Sequence, residues 1–143
     1  MNRKIRVGIN GLGRIGRHIF KMCIDDPLIE LVGINEINPD LNNWSYTLNY
    51  DSIYGQSKHK TKIKNKKLIC NNQSIFTSMF RDITNVKWKD WGVQIIIDSS
   101  GVLENTHKAS QLIKENYAEK IIFTNSPEEV DFTMILGVNE SEY

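Results

Sequence analysis

Ile5, Val7 and Ile9 alternate with Arg6, Gly8 and Asn10, a two-residue period that predicts a buried strand. The period then changes. Ile15, Ile19, Met22 and Cys23 recur at helical spacing, with Arg14, Arg17, His18 and Lys21 at the other positions, which predicts a helix. Asp26-Pro27 suits its stop, and the apolar run from Ile29 to Glu36 predicts a second strand. Leu41, Trp44, Tyr46 and Leu48 predict a short helix between Asp40 and Tyr50, capped by Asp40. From Lys58 to Phe80, turn-like NKK and NNQ separate alternating segments, as in antiparallel strands. Val93–Gly101, Lys120–Pro127 and Asp131–Asn139 read as strands, and Glu104–Tyr117 as a helix. Apolar strands alternating with helices imply an α/β fold. It is a doubly wound, mostly parallel sheet with a small antiparallel insertion. No repeat or linker breaks the chain, so residues 1–143 are expected to form one domain.

Between the first strand and the first helix, Gly11, Gly13 and Gly16 stand at the spacing G-x-G-x-x-G. That spacing is weak evidence alone, but a strand before it and a helix after it supply the context of a dinucleotide-binding turn. Gly11 permits a tight turn, Gly13 lets the backbone approach a pyrophosphate, and Gly16 lets the helix pack close to the strand. The helix N-terminus offers free N–H groups to phosphates, and Arg14 adds charge there. Glu36 closes the second strand, 20 positions after Gly16. A carboxylate there can accept hydrogen bonds from ribose hydroxyls and repel a 2′-phosphate, which favours NAD over NADP.

Ligands in such sheets bind at the carboxyl ends of the strands. Those ends read Asn10-Gly11, Asn35-Glu36, Ser99-Ser100-Gly101 and Thr124-Asn125, all small or polar apart from the acid. Plain turn and capping chemistry would also explain Ser99 to Gly101, so the shared address is what favours a site.

Composition narrows the picture. Hydrophobic residues make up 40% and charged residues 24%, ordinary for a globular protein, and the net charge of +1 disfavours a dedicated polyanion binder. No apolar run reaches membrane-spanning length, and the start lacks a signal-peptide core. Cys23 and Cys70 have no metal spacing and suggest no disulfide framework, so no metal is expected and a reducing, cytoplasmic setting fits.

Several stretches together carry a family likeness: INGLGRIGR (Ile9 to Arg17), INE (Ile34 to Glu36), YDSIYG (Tyr50 to Gly55), Arg81-Asp82, Trp88, Trp91-Gly92, Ser99 to Gly101 and GVNESEY (Gly137 to Tyr143). In this order and approximate spacing, the chain resembles the N-terminal, NAD-binding half of glyceraldehyde-3-phosphate dehydrogenase, a Rossmann-type domain. The resemblance covers the whole chain. It implies that Arg14 and Ile15 contact the pyrophosphate through the turn, that Glu36 is the ribose-binding acid, that Arg81 lies near the adenine, and that Asn125 lies near the nicotinamide end. Two positions depart from the family pattern. Glu36 replaces the usual Asp, as in the related erythrose-4-phosphate dehydrogenases, which keeps erythrose 4-phosphate as an alternative substrate, and Asn125 replaces a Ser or Thr.

The family's nucleophilic cysteine follows the GVN strand within a Ser-Cys-Thr-Thr-Asn motif, and its histidine and phosphate-binding residues come later. This sequence reaches only Tyr143. No catalytic residue is therefore assigned within it: Cys23 and Cys70 do not occupy the motif, and His18, His59 and His107 are read as solvated surface groups. The resemblance implies a cofactor domain whose catalytic partner domain is absent from this chain, within a homo-oligomeric enzyme of glycolysis. There, an aldehyde, phosphate and NAD give an acyl phosphate and NADH.

One feature suggests a different class of function. Lys58, Lys60, Lys62 and Lys64 alternate, with Lys66 and Lys67 at a turn. Such a ladder can meet RNA, or it can protect an edge strand from aggregation. No aromatic residue interleaves with the lysines in sequence, so the protective reading is preferred and a nucleic-acid partner is disfavoured.

Overall fold

A computed structural model describes residues 3–51 and 55–143. Its strands are β1 (Ile5–Asn10), β2 (Ile29–Asn35), β3 (Tyr50–Asp51), β4 (Gly55–Gln56), β5 (Thr61–Lys64), β6 (Lys67–Cys70), β7 (Gln73–Ser78), β8 (Ile95–Asp98) and β9 (Lys120–Phe123). Its helices are α1 (Arg14–Asp25), α2 (Leu41–Asn49) and α3 (Asn105–Lys114), with a 3-10 turn at Ile83–Asn85. The order across the main sheet is β5-β6-β7-β2-β1-β8-β9, seven strands in all. β7, β2, β1, β8 and β9 run parallel, while β5, β6 and β7 form an antiparallel meander. The α/β, doubly wound reading therefore holds, and the antiparallel part extends the parallel sheet through β7. β3 and β4 form a separate two-stranded ribbon.

Two cores cover the two faces. Val7, Ile9, Leu31 and Ile34 of β1 and β2 meet Phe20 and Cys23 of α1, Trp44 and Leu48 of α2, and Leu68, Cys70 and Ile75 of the meander. Opposite them, Val32 and Ile96 meet Trp88, Trp91, Val93 and Leu112. Gly8 and Gly33 make room for these indoles. A Cβ on Gly8 would lie 2.7 Å from the Trp88 ring, and one on Gly33 would lie 2.2 Å from Cε3 of Trp91. Between β1 and β2 the register slips by one residue: Val7 faces Leu31, then Gly8 faces Gly33, leaving Val32 as a β-bulge. Arg6 holds the tryptophan loop to β1 by donating from Nη2 to the Trp91 carbonyl at 2.8 Å and from Nε to the Gly92 carbonyl at 2.9 Å.

Three readings need correction. The buried face of α1 is Gly16, Phe20 and Cys23, whereas Ile15 and Met22 are exposed. Gly16 packs against the Gly11 carbonyl, which fixes the helix rotation more strongly than the apolar spacing does. Residues 131–139 form no strand, and residues 136–139 form a turn. Gly137 adopts φ +81°, and the Asn139 side chain accepts from the Ile135 amide and donates to the Thr133 carbonyl, so local turn chemistry wins over apolar content. His59 is half-buried rather than solvated, with Nε2 lying 2.6 Å from Oδ1 of Asp25 at the end of α1. Asp40 caps α2 as expected, accepting from the amides of Asn42 and Asn43. Residues 52–54 of the YDSIYG stretch lie outside the described residues.

Candidate cofactor site

Parallel pairing lines up the carboxyl ends of five strands: Ser78, Asn35, Asn10, Asp98 and Phe123 stand side by side. The chain winds from β1 outward through β2 to β7, then returns to β8 and β9 on the other side. β1 is thus where the winding direction reverses, the place where such sheets open a crevice.

The glycine turn leaves β1 at this point, and its three glycines do different work. Gly11 adopts φ +93°, and a Cβ there would lie 2.7 Å from the Ser100 backbone. A Cβ on Gly16 would lie 2.0 Å from the Gly11 carbonyl oxygen. Both are demanded by the protein's own packing. Gly13 is not: its φ is −69°, and a Cβ would meet nothing within 4 Å. Gly13 also opens α1, which has no side-chain cap. Its first-turn amides therefore have neither an intrahelical partner nor a capping side chain. Arg14 and Ile15 are exposed beside this open space.

Glu36 reaches from the end of β2 to the same turn. Its Oε2 accepts from the Leu12 amide at 2.6 Å, and its Oε1 accepts from the Asn38 amide at 3.0 Å. Each carboxylate oxygen has a second lone-pair direction, so the group retains acceptor capacity. Across β1, Ser99 Oγ donates to the Gly11 carbonyl at 2.7 Å and clamps the β8 loop to the turn. Ser100 Oγ accepts from the Val102 amide at 3.2 Å, as turn chemistry requires. Gly101 is exposed at φ +76° with open space at its Cβ position. Arg81 is exposed on the outer rim beyond β7. Asn125 follows β9 on the opposite rim, and its Oδ1 is shielded from solvent without a hydrogen-bond partner. The sequence-derived set thus lies on one edge of the sheet, with the glycine turn, Glu36 and Ser99 in direct contact and Arg81 and Asn125 at its two flanks.

Beneath that edge runs a polar chain that sequence reasoning did not find. Asn35 Nδ2 donates to Asn10 Oδ1 at 2.8 Å, and Asn10 Nδ2 donates to Asp98 Oδ1 at 3.1 Å. Asn105 of α3 donates to Asp98 Oδ2 at 2.7 Å. Asn35 Oδ1 also accepts from Ser78 Oγ and from the Phe80 amide. All four members are buried. Buried polar groups persist only when bonded, and here the bonds fix the spacing of four strand ends and a helix. The available signal was a polar residue closing each apolar strand.

Neither cysteine has the character of a nucleophile. Burial, with Asp26 adding, pushes the Cys23 thiol up to about 11; burial, with Asp25 adding, does the same for Cys70. Among the described residues, no group of three or more His, Cys, Asp or Glu side chains is placed to hold a metal. No helix among them is long and apolar enough to cross a membrane.

The family model described as "Glyceraldehyde 3-phosphate dehydrogenase, NAD binding domain" matches residues 5–106. The chain belongs to this family. NAD is the cofactor of such a domain, and the open space at Gly13 beside an uncapped helix end fits a pyrophosphate. Similar proteins include glyceraldehyde-3-phosphate dehydrogenase 1 of Bacillus subtilis, 33% identical over 97% of this chain, and the glyceraldehyde-3-phosphate dehydrogenase of Geobacillus stearothermophilus, 32% identical over the same share. The cytosolic enzyme of Leishmania mexicana is 34% identical, again over 97% of the chain. In each case the match spans 41% of the relative's length.

Proposed function

We propose that this chain binds NAD across the carboxyl ends of its parallel strands, as the cofactor domain of a phosphorylating aldehyde dehydrogenase. The pyrophosphate would lie over Gly13, held by the first amides of α1 with Asn10, Gly11, Arg14, Ile15 and Gly16 shaping the turn. Glu36 would take the adenosine ribose, Arg81 the adenine side, and Ser99, Ser100, Gly101 and Asn125 the nicotinamide side. The observation that carries the reading is the contrast among the glycines. Gly11 and Gly16 answer internal packing, while Gly13 meets nothing among the described residues and leaves room for a ligand.

The bound cofactor supplies a hydride acceptor; the protein's part is to hold and orient it. Because the match spans only 41% of each relative, the nucleophile, the base and the aldehyde site are assigned to a further catalytic domain. The resemblance to the family is what suggests a homo-oligomer in a cytoplasmic setting for the complete enzyme. Glyceraldehyde 3-phosphate is the preferred substrate of that enzyme, since the relatives above bear its name. Calorimetric titration tests the cofactor reading. The chain should bind NAD more tightly than NADP, and Gly13→Val should abolish both while the far-ultraviolet dichroism stays unchanged. Full NAD binding by a folded Gly13→Val variant would sink it. The chain alone should not reduce NAD with aldehyde and phosphate; steady NADH production would overturn the assignment of catalysis to a separate domain.

A further inference from the structure

Asp98 closes β8 as a buried carboxylate, and among the described residues no basic side chain lies within ion-pair reach of it. Three N–H groups satisfy it instead. Its Oδ1 accepts from Asn10 Nδ2 at 3.1 Å and from the Ser100 amide at 3.0 Å, and its Oδ2 accepts from Asn105 Nδ2 at 2.7 Å. A carboxylate accepts and does not donate. Asn10 must therefore turn its nitrogen toward Asp98, which leaves its Oδ1 facing Asn35. Asn35 must in turn present its own nitrogen, at 2.8 Å. That leaves Asn35 Oδ1 to accept from Ser78 Oγ at 2.8 Å and from the Phe80 amide at 2.9 Å. The Asn35 nitrogen also donates to the Phe80 carbonyl at 2.8 Å, so both backbone groups of Phe80 close on one side chain. One acid thus dictates the orientation of two amides in series. Turning either amide over would set N–H against N–H, or oxygen against oxygen, in a buried place where the mismatch is costly.

The two ends of this line are two rims of the crevice. Phe80 is followed by Arg81 on the rim beyond β7, and Ser100 by Gly101 on the loop after β8. Between them the line crosses β7, β2, β1 and β8, about 14 Å at the usual strand spacing.

We propose that Asp98 and Asn35 are positioning residues for the cofactor. The carboxylate at the Ser100 end orients the amides that hold the backbone at the Phe80 end, so the two rims keep one spacing and respond to each other. The inference rests on the NAD reading, with Arg81 on the adenine side and Ser100 and Gly101 on the nicotinamide side. Neither Asp98 nor Asn35 touches the ligand in it; both act through the backbone amides they hold. Purely local bonding would leave the rims independent, whereas a line in series makes a change at one end felt at the other, in both directions.

Hydrogen exchange and titration with ADP test this. ADP carries the adenosine and the pyrophosphate but no nicotinamide. In the parent chain, saturating ADP should slow exchange of the Ser100 amide as well as that of Phe80. Asp98→Asn keeps the shape but sets an N–H among three donors, which frees Asn10 to turn over. The Phe80 amide, which does not touch Asp98, should then exchange about tenfold faster. From the other end, Asn35→Asp draws the Asn10 nitrogen away from Asp98, and the Ser100 amide should exchange faster by about the same factor. Each variant should bind ADP about tenfold more weakly. Together the two substitutions reverse the line end for end, with Asn10 donating to residue 35 and accepting from residue 98. The combined loss of ADP affinity should fall short of the product of the single losses. Leu68→Ala, a cavity in the meander away from the line, should lower the urea midpoint while ADP affinity stays within about twofold. Protection of Phe80 alone by ADP, or parent rates at the distant amide in both folded variants, would overturn the proposal and leave two local clusters. Losses that multiply, or an equal loss in Leu68→Ala, would overturn it in favour of general stability. Coupled amides in a parent that binds neither ADP nor NAD would sink the cofactor reading and reduce the line to a structural brace.

Discussion

Gly16 sits so close to Gly11 that a Cβ on the first would lie 2.0 Å from the carbonyl oxygen of the second. The contact locks the start of α1 onto the end of β1 and sets which face of the helix is buried. Gly16→Ala gains helix propensity worth about 1 kcal/mol. It must also push backbone apart, an overpacking cost of about 1–3 kcal/mol or more. We expect a net loss of stability in urea unfolding. Gly13→Ala, with open space at the same atom, should leave the unfolding midpoint nearly unchanged.

In the proposed site, Glu36 would govern the choice between the two nicotinamide cofactors. Its carboxylate is pinned to the glycine turn by the Leu12 amide, which in the proposed site would hold its charge beside the adenosine ribose. Glu36→Gln keeps the shape and removes the charge. Binding of NADP should strengthen relative to NAD by about tenfold, since relieving one like-charge contact is worth on the order of 1–2 kcal/mol in a partly exposed site. Calorimetry with both cofactors reads the ratio, and an unchanged ratio would remove Glu36 from the discrimination.

Gly33→Ala places a methyl against the Trp91 indole, 2.2 Å from Cε3 in the present packing. The expected cost is about 1–3 kcal/mol. Trp91→Leu in the same chain should recover part of it, although Trp91→Leu alone destabilises by leaving a cavity. A double-mutant cycle in urea measures the coupling, and purely additive costs would argue that the two residues do not meet.

The thiols predict an alkaline weakness. Burial raises Cys23 and Cys70 to about 11, from 9.0 in an exposed thiol. The folded state thus favours the neutral form. The stability this gives is fully present below pH 9 and declines as pH rises from about 9 to about 11. Cys23→Ala with Cys70→Ala should flatten that limb of the stability profile. In the parent, a thiol reagent at pH 8 should react at the rate of unfolding or opening rather than immediately.

Asp82 shapes the acid limb. The Thr84 amide, then the Lys108 ammonium at 2.9 Å and the Thr84 hydroxyl, hold its carboxyl down to about 2 from 3.8. Its contribution is present above pH 4 and is lost as pH falls toward 2. Its side chain is 39% exposed, so the effect is screened and modest. Asp82→Asn should flatten acid unfolding slightly, and an identical acid profile in the variant would refute the linkage.

Much of the fold was legible because strands and helices announce themselves by period. The glycine turn was equally legible, since its spacing is tied to backbone geometry. The buried face of α1 was not, because a single close contact at Gly16 outweighed the placement of Ile15 and Met22. Nor was the chain of Asn35, Asn10, Asp98 and Asn105, whose members are up to 95 positions apart and meet only once the sheet is ordered. Residues 131–139 misled for the opposite reason: their apolar content suits a strand, but Asn139 folds the segment back on itself.

The bulge at Val32 bears on how the length of this chain can change. It is the supernumerary member of β2: Leu31 and Ile34 face one core, and Val32 and Gly33 both face the other. Deleting Val32 would leave Gly8 opposite Gly33, Ile9 opposite Ile34 and Asn10 opposite Asn35, with every side chain on its present face. Deleting Gly33 would keep the same phase but bring the Val32 side chain against the Trp91 indole, and deleting Ile34 would turn Gly33 to the opposite core. Insertions and deletions in related sequences should therefore accumulate at this single site in β2, a hidden joint in a strand that otherwise admits no change of length.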